Sequence, residues 1–217
     1  MNSAERRGIF ITFEGVEGCG KSTQASRLAA RLRERGFEVT LTREPGGTAL
    51  GERLRDILLD LGQRGMVPEA ELFLYMASRA EHVAHVIEPA LSRGEIVIAD
   101  RFGDASVAYQ GGGRELGASL VESLNQVATR GVKPDVTFLL DLDPSVGLTR
   151  LSKRGGGRDR IESEESAFHE RVRDAYVRTA ERDLARFTVV DGSAQPDVVA
   201  ASVLARVEQV LEGKPKG

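Results

Sequence analysis

Apolar positions along this chain alternate between two periods. Residues 9–13 form a short, β-rich apolar run that stops at Glu14-Gly15 and reads as a buried strand. From 21 to 35 the apolar residues Ala25, Leu28, Ala29 and Leu32 recur at helical spacing, and Gly36 follows as a stop signal. The same reading predicts strands at 37–42, 96–99, 136–140 and 188–190. It predicts helices at 50–61, over most of 69–93, and at 117–130, 145–154, 163–184 and 196–211. Strands alternating with helices imply an α/β fold: a five-stranded parallel sheet with helices on both faces. Ligands of such sheets bind beyond the carboxyl ends of the strands. Here those ends carry Glu14-Gly15, Arg43-Glu44, Asp100-Arg101, Asp141 and Asp191, a set that suggests one polar site.

Composition narrows the classes. The 217 residues, 41% hydrophobic and 29% charged, suit one globular domain spanning 1–217. A net charge of -3 lacks the basic face that wraps a phosphate backbone, so no nucleic-acid partner is expected. The single cysteine excludes an intramolecular disulfide and fits a reducing cytoplasm. Three scattered histidines and that cysteine do not make a His/Cys zinc site. No signal-like segment opens the chain, and no window reaches the roughly 18 apolar residues of a membrane span. The polar ends, 1–7 and 213–217, are expected to fray.

The strongest motif is Gly15-Val16-Glu17-Gly18-Cys19-Gly20-Lys21-Ser22, with Thr23 following. It matches G-x-x-x-x-G-K-[ST], and it lies where that pattern belongs, between a strand and a helix. The glycines let backbone N–H groups curl round an anion, and the helix N-terminus adds unpaired donors. Lys21 is expected to reach the β- and γ-phosphates and Ser22 to ligate Mg²⁺. Cys19 occupies a free position, where a small filler is expected. The loop implies a P-loop NTPase three-layer sandwich binding a nucleoside triphosphate. It does not choose among GTPases, motors and small-molecule kinases. Asp100-Arg101-Phe102-Gly103 matches the short D-x-x-G switch of GTPases, but no Asn-Lys-x-Asp guanine signature accompanies it.

Other segments supply candidate chemistry. Thr42-Arg43-Glu44-Pro45-Gly46-Gly47-Thr48 offers an arginine for an anion, and is also a Pro-Gly turn. Asp100, directly after an apolar strand, is placed to hold Mg²⁺, and Arg101 to neutralise a transferring phosphoryl group. Ser106, Tyr109 and Gln110 lie in a loop running to Gly111-Gly112-Gly113-Arg114, with an aromatic face and polar partners for a base or sugar. Tyr75 and Arg79, four residues apart on a mostly apolar helix, share a face that can clamp a flat ring. His82 and His85 read as packing or surface residues, and His169 has no partner in view. The run from Arg150 to Arg160 is basic and carries Gly155-Gly156-Gly157 as a hinge, so 150–162 reads as a mobile lid that closes over triphosphate.

Together these motifs resemble the thymidylate kinase family of nucleoside monophosphate kinases, from about residue 9 to 211. The resemblance rests on the Phe-Glu-Gly-x-Glu-Gly-x-Gly-Lys-Ser loop, Thr-Arg-Glu-Pro-Gly-Gly-Thr, Asp-Arg-Phe, Ala-Tyr-Gln-Gly-Gly-Gly-Arg and Asp159-Arg160-Ile161-Glu162. It implies transfer of the ATP γ-phosphoryl to dTMP with Mg²⁺, within dTTP biosynthesis. By resemblance Glu17 contacts the deoxyribose 3′-hydroxyl, and Arg43, beside Glu44, holds the acceptor phosphate. Pro45 stands where a cis bond is common. Asp100 and Arg101 support Mg²⁺ and both phosphoryl groups. Tyr109 blocks a 2′-hydroxyl, Ser106 and Gln110 line the base or sugar pocket, and Arg79 meets the thymine edge. The family's stacking ring is often Phe, whereas Tyr75 stands there in this chain. Because Gly18 replaces a possible P-loop arginine, the resemblance leaves Arg154, Arg158 or Arg160 as the catalytic lid arginine, unranked. It also implies a homodimer, with the helix at 69–93 able to supply the interface. Two rivals remain: a kinase for another small acceptor, and a P-loop switch that binds partners.

Overall fold

β1 (Ile9–Glu14) is buried along its whole length, as a strand covered on both faces must be. Successive residues divide between those faces. Ile9, Ile11 and Phe13 join Leu28, Ala29 and Leu32 of α1 (Lys21–Glu34), while Phe10 joins Ile87 and Leu91. The computed structural model describes residues 8–155 and 157–212, excluding the side chain of Arg154. The ends read as frayed, and Gly156 of the lid, lie outside the described residues.

β2 (Val39–Arg43), β3 (Ile96–Asp100), β4 (Val136–Asp141) and β5 (Phe187–Asp191) complete a sheet of order β2-β3-β1-β4-β5, parallel throughout. This is the five-stranded P-loop architecture expected from the sequence. The connection leaving β1 crosses β3 to reach β2, and the one leaving β3 crosses β1 to reach β4. Connections that diverge in this way open a crevice at the carboxyl ends of β1 and β3. Phe13 stands opposite Asp100 in the register, so the glycine loop and the Asp100-Arg101 pair emerge side by side.

The remaining helices are α2 (Ala49–Leu59), α3 (Pro68–His82), α4 (Glu88–Ser92), α5 (Gly103–Ser106), α6 (Ala118–Ala128), α7 (Pro144–Arg154), α8 (Ser166–Arg182) and α9 (Pro196–Glu212). Thr48 caps α2 by accepting the Gly51 N–H at 2.9 Å.

Two segments depart from the sequence reading. The helix expected over 69–93 is interrupted by a π-helical turn, Val83–Ile87, in which the Glu88 N–H bonds to the Val83 carbonyl. Pro89 follows, and its missing N–H and its ring favour such a widened turn over a regular one. The segment 106–114, read as a loop, is helical instead: α5 continues into a π-helical stretch, Val107–Gly113. Its glycines do allow close backbone approach, but to α8. A Cβ on Gly112 would stand 2.5 Å from that of Ala175, and one on Gly113 2.6 Å from a Phe168 ring carbon.

Candidate active site

The glycine loop joins β1 to α1, and its shape requires glycine at Gly18. There φ is +71°, and a Cβ would lie 2.2 Å from the Gly147 carbonyl oxygen. Gly147 of α7 is bound by the same contact, since its own Cβ would lie 2.1 Å from the Glu17 carbonyl oxygen. The Lys21 ammonium sits within the curl of the loop, donating to the carbonyls of Gly15 (3.1 Å) and Val16 (2.9 Å). Val16 and Cys19 are buried in the core behind it. The Ser22 hydroxyl donates to the Asp100 carboxylate across the crevice, which joins the two expected Mg²⁺ ligands.

Arg101 is the centre of the site. Its Nη1 donates to the Gly15 carbonyl and the Tyr176 hydroxyl, both at 3.0 Å. Its Nη2 donates to Glu17 Oε1 at 3.0 Å and to the Tyr109 hydroxyl at 2.9 Å. Tyr109 in turn donates to Glu17 Oε1, and the Arg101 guanidinium lies 4.7 Å from the centre of the Tyr109 ring. Burial opposes charge on Glu17, but the His169 ring, Arg101 and Lys21 outweigh it and hold its carboxyl down at about 2. Glu14 goes the other way. Burial, aided by Asp104, pushes its carboxyl up to about 8 despite hydrogen bonds from Tyr176 and the Phe102 N–H.

On the far wall, Glu44 is buried and accepts Arg79 Nε at 2.8 Å, with His82 Nδ1 at 2.9 Å. Burial raises its affinity for a proton, and Arg79 with His82 more than reverses that. Arg79 is itself buried. Its other donors reach Ser106 Oγ (2.9 Å), Asn125 Oδ1 (2.6 Å) and the Phe102 carbonyl (3.0 Å). Helix α3 thus directs a nearly saturated guanidinium at the cleft, and His82, read as a packing or surface residue, is buried and supports it through Glu44. The Glu44-Pro45 bond is cis. Arg43 remains exposed and pairs with Glu52 at 2.8 Å. Burial and the nearby Glu71 push the Tyr75 hydroxyl well above its ordinary value.

Glu71, which the sequence reading passed over, is buried and gathers three partners: Gln110 Nε2 at 2.7 Å, Arg114 Nη2 at 2.9 Å and Arg160 Nη1 at 2.6 Å. Arg160 also donates from Nε to the Leu58 carbonyl at 2.8 Å. Of the three lid arginines, Arg160 is therefore buried and anchored, and Arg158 is exposed. Arg154 closes α7, and its side chain lies outside the description.

A cleft of about 250 Å³ runs through this crevice. Of the expected site residues it is lined by Glu17, Gly18, Gly20, Lys21, Ser22, Thr23, Arg43, Glu44, Tyr75, Arg79, Asp100, Arg101, Ser106, Tyr109 and Gln110. Gly15, Val16 and Cys19 support the loop from behind. The cleft also takes in Arg55, Leu59, Leu151, Asp159, Ile161 and Glu162, none of them assigned a site role from sequence. Arg55 lies among Glu52, Arg53 and Asp56, so it reads as one charge on a solvated helix face; in the fold its Nη1 holds the Pro45 carbonyl at 3.0 Å.

A glycine loop at a sheet switch point, with a lysine in its curl and a serine–aspartate pair across the crevice, defines a P-loop protein built to handle the phosphates of a nucleotide. The thymidylate kinase family profile matches residues 13–203. A thymidylate kinase of Solidesulfovibrio magneticus is 50% identical over 209 residues, covering 94% of this chain and 100% of the relative. One of Oleidesulfovibrio alaskensis is 49% identical over 209 residues, covering 94% and 99%. The crystal structure of thymidylate kinase from Ehrlichia chaffeensis superposes with a TM-score of 0.75 at 34% identity, over 93% of this chain and 98% of that one. The chain belongs to the thymidylate kinase family.

Proposed function

We propose that this chain transfers the γ-phosphoryl group of ATP to the phosphate of dTMP, giving dTDP and ADP on the way to dTTP. The observation that carries the reading is one cleft in which the P-loop lysine meets the Arg101–Glu17–Tyr109 cluster. Phosphoryl transfer asks mainly for positioning and charge neutralisation, so no strong base is needed. Lys21 and the loop amides hold the triphosphate. Arg101 sits between both phosphoryl groups. Arg43 takes the acceptor phosphate, and its exposed pair with Glu52 costs little to exchange.

Glu17 Oε2 is buried with the His169 ring 3.5 Å away and no close hydrogen bond among the described residues, which leaves it able to accept a donor such as the deoxyribose 3′-hydroxyl. Tyr109 excludes a 2′-hydroxyl, Tyr75 stacks on the base, and Arg79 and Gln110, braced by Glu44, Ser106 and Glu71, meet its edge. Mg²⁺ fits the oxygen donors present: Ser22 and Asp100 offer a hydroxyl and a carboxylate to a hard cation. Bound there, it would neutralise charge on the triphosphate oxygens. Among the described residues no group of three or more His, Cys, Asp or Glu side chains could hold a metal.

The segment 150–162 acts as the lid of a single domain. Because Arg160 is anchored to Glu71, the catalytic lid arginine is Arg154 or Arg158. The reading includes a homodimer through α3, the helix on which Phe73 is exposed. No described helix is long and apolar enough to cross a membrane, and the lone cysteine suits the cytoplasm, with no nucleic-acid partner. The test is ADP release with ATP, Mg²⁺ and, in turn, dTMP, dUMP, dCMP and dGMP. Fast release with dTMP alone is expected; equal release without any acceptor would withdraw the acceptor-site assignments.

A further inference from the structure

We infer that Glu14 and Tyr176 are positioning residues that lock Arg101 into its cleft-facing conformation. This rests on the assignment of Arg101 to phosphoryl transfer. Arg101 has φ of 75°, a left-handed backbone at a residue with a Cβ, which persists only where its surroundings over-determine it. On one side its own N–H continues the β1–β3 ladder to the Phe13 carbonyl at 3.0 Å. On the other, the next N–H, of Phe102, has left the sheet and is caught by Glu14 Oε1 at 2.7 Å.

The same carboxyl group governs the far end of the arginine. Glu14 Oε2 accepts the Tyr176 hydroxyl at 2.7 Å, and the Tyr176 oxygen accepts Arg101 Nη1 at 3.0 Å. Set between the Glu14 carboxyl and the guanidinium, the Tyr176 oxygen keeps a lone pair for Arg101 Nη1. One buried carboxyl group therefore fixes both the backbone that follows Arg101 and, through one hydroxyl, the tip of its side chain. Neither Glu14 nor Tyr176 lines the cleft, whereas Glu17 and Tyr109, the other side-chain partners of Arg101, both do. The side-chain hydrogen bonds of the pair reach the cleft through Arg101, while the Tyr176 ring, which Tyr176→Phe keeps, also packs edge-on to Tyr109.

The experiment compares Tyr176→Phe, Glu14→Gln, Arg101→Lys and the doubles that combine each of the first two with Arg101→Lys. Loss of one hydrogen bond to a charged group predicts that Tyr176→Phe lowers kcat about tenfold, with KM for ATP and dTMP within about twofold. Glu14→Gln keeps the Phe102 acceptor but turns an amide toward the phenol, and the same loss is expected. In the Arg101→Lys background neither change should lower kcat further, because the group they position is gone. Wild-type kcat in both single variants, beside an impaired Arg101→Lys, would overturn the inference. So would losses that multiply in the doubles, which mark general structural damage. Full activity in Arg101→Lys would instead withdraw the assignment of Arg101 itself. Should Tyr176→Phe not fold, the near-isosteric Glu14→Gln and its double carry the same comparison.

Discussion

Arg160 Nη1 lies 2.6 Å from Glu71 Oε2, with both side chains out of solvent, and this contact ties the C-terminal part of the 150–162 segment to helix α3. Glu71 is also where Gln110 and Arg114 arrive, so one carboxylate joins the base-side wall to the root of the lid. Burial penalises its charge, yet Arg114, Gln110 and Arg160 hold its carboxyl below the ordinary range. Without that cation the buried Glu71 would keep only Arg114 and Gln110, and the Leu58 carbonyl would lose its side-chain donor.

The division of labour among the lid arginines follows. Arg160→Met should destabilise the protein by about 3 kcal/mol, a fall of about 6–12 °C in Tm for a chain of this length. Arg158→Ala should leave Tm within about 1 °C, since exposed substitutions are usually near neutral. If Arg158 is the catalytic lid arginine, kcat falls at the same time. Thermal melts and single-turnover rates on the two variants check this. Unchanged Tm in Arg160→Met would refute the anchoring role.

Legibility in the sequence tracked how local the chemistry is. The glycine loop, Asp100-Arg101 and Arg43-Glu44 could be read because their residues sit at strand ends and their spacing is fixed by the backbone. Glu71 could not: in the first turn of α3 it looks like an acid complementing a helix N-terminus. Its burial comes from arginines 43 and 89 positions away in the chain. Gly147 likewise reads as an ordinary glycine on a helix until the loop packs on it. At Val107–Gly113 three adjacent glycines signal a loop, and only packing against α8 makes a helix the better solution.

Sugar discrimination should depend on Tyr109. Its hydroxyl ties Arg101 to Glu17, and its ring packs edge-on to Phe168 and Tyr176. Tyr109→Ala removes the ring proposed to exclude a 2′-hydroxyl, and Tyr109→Phe removes only the hydroxyl. The ratio of kcat/KM for dTMP to that for its ribose analogue should fall about tenfold or more in the alanine variant. In the phenylalanine variant it should hold while kcat drops. An unchanged ratio in Tyr109→Ala would remove Tyr109 from the sugar site.

Glu14 and Glu17 give opposite pH signatures, because their folded values lie on opposite sides of the ordinary 4.5, at about 8 and about 2. Folded Glu14 holds its proton more tightly than the unfolded chain does. Its contribution to stability is fully present below about pH 4.5 and is lost as pH rises through about 8. Glutamine cannot titrate, so the stability of wild type relative to Glu14→Gln should decline between those limits. For Glu17 the folded carboxyl is the stronger acid. Its contribution is present above about pH 4.5 and is lost as pH falls through about 2. The advantage of wild type over Glu17→Gln should therefore be flat across the neutral range and shrink on acidification. Urea midpoints for the three proteins, taken from acid to mildly alkaline pH, measure both trends. A wild-type-to-Glu14→Gln gap that stays level from pH 4.5 to pH 8 would mean that the carboxyl is not held protonated by its burial and by Asp104.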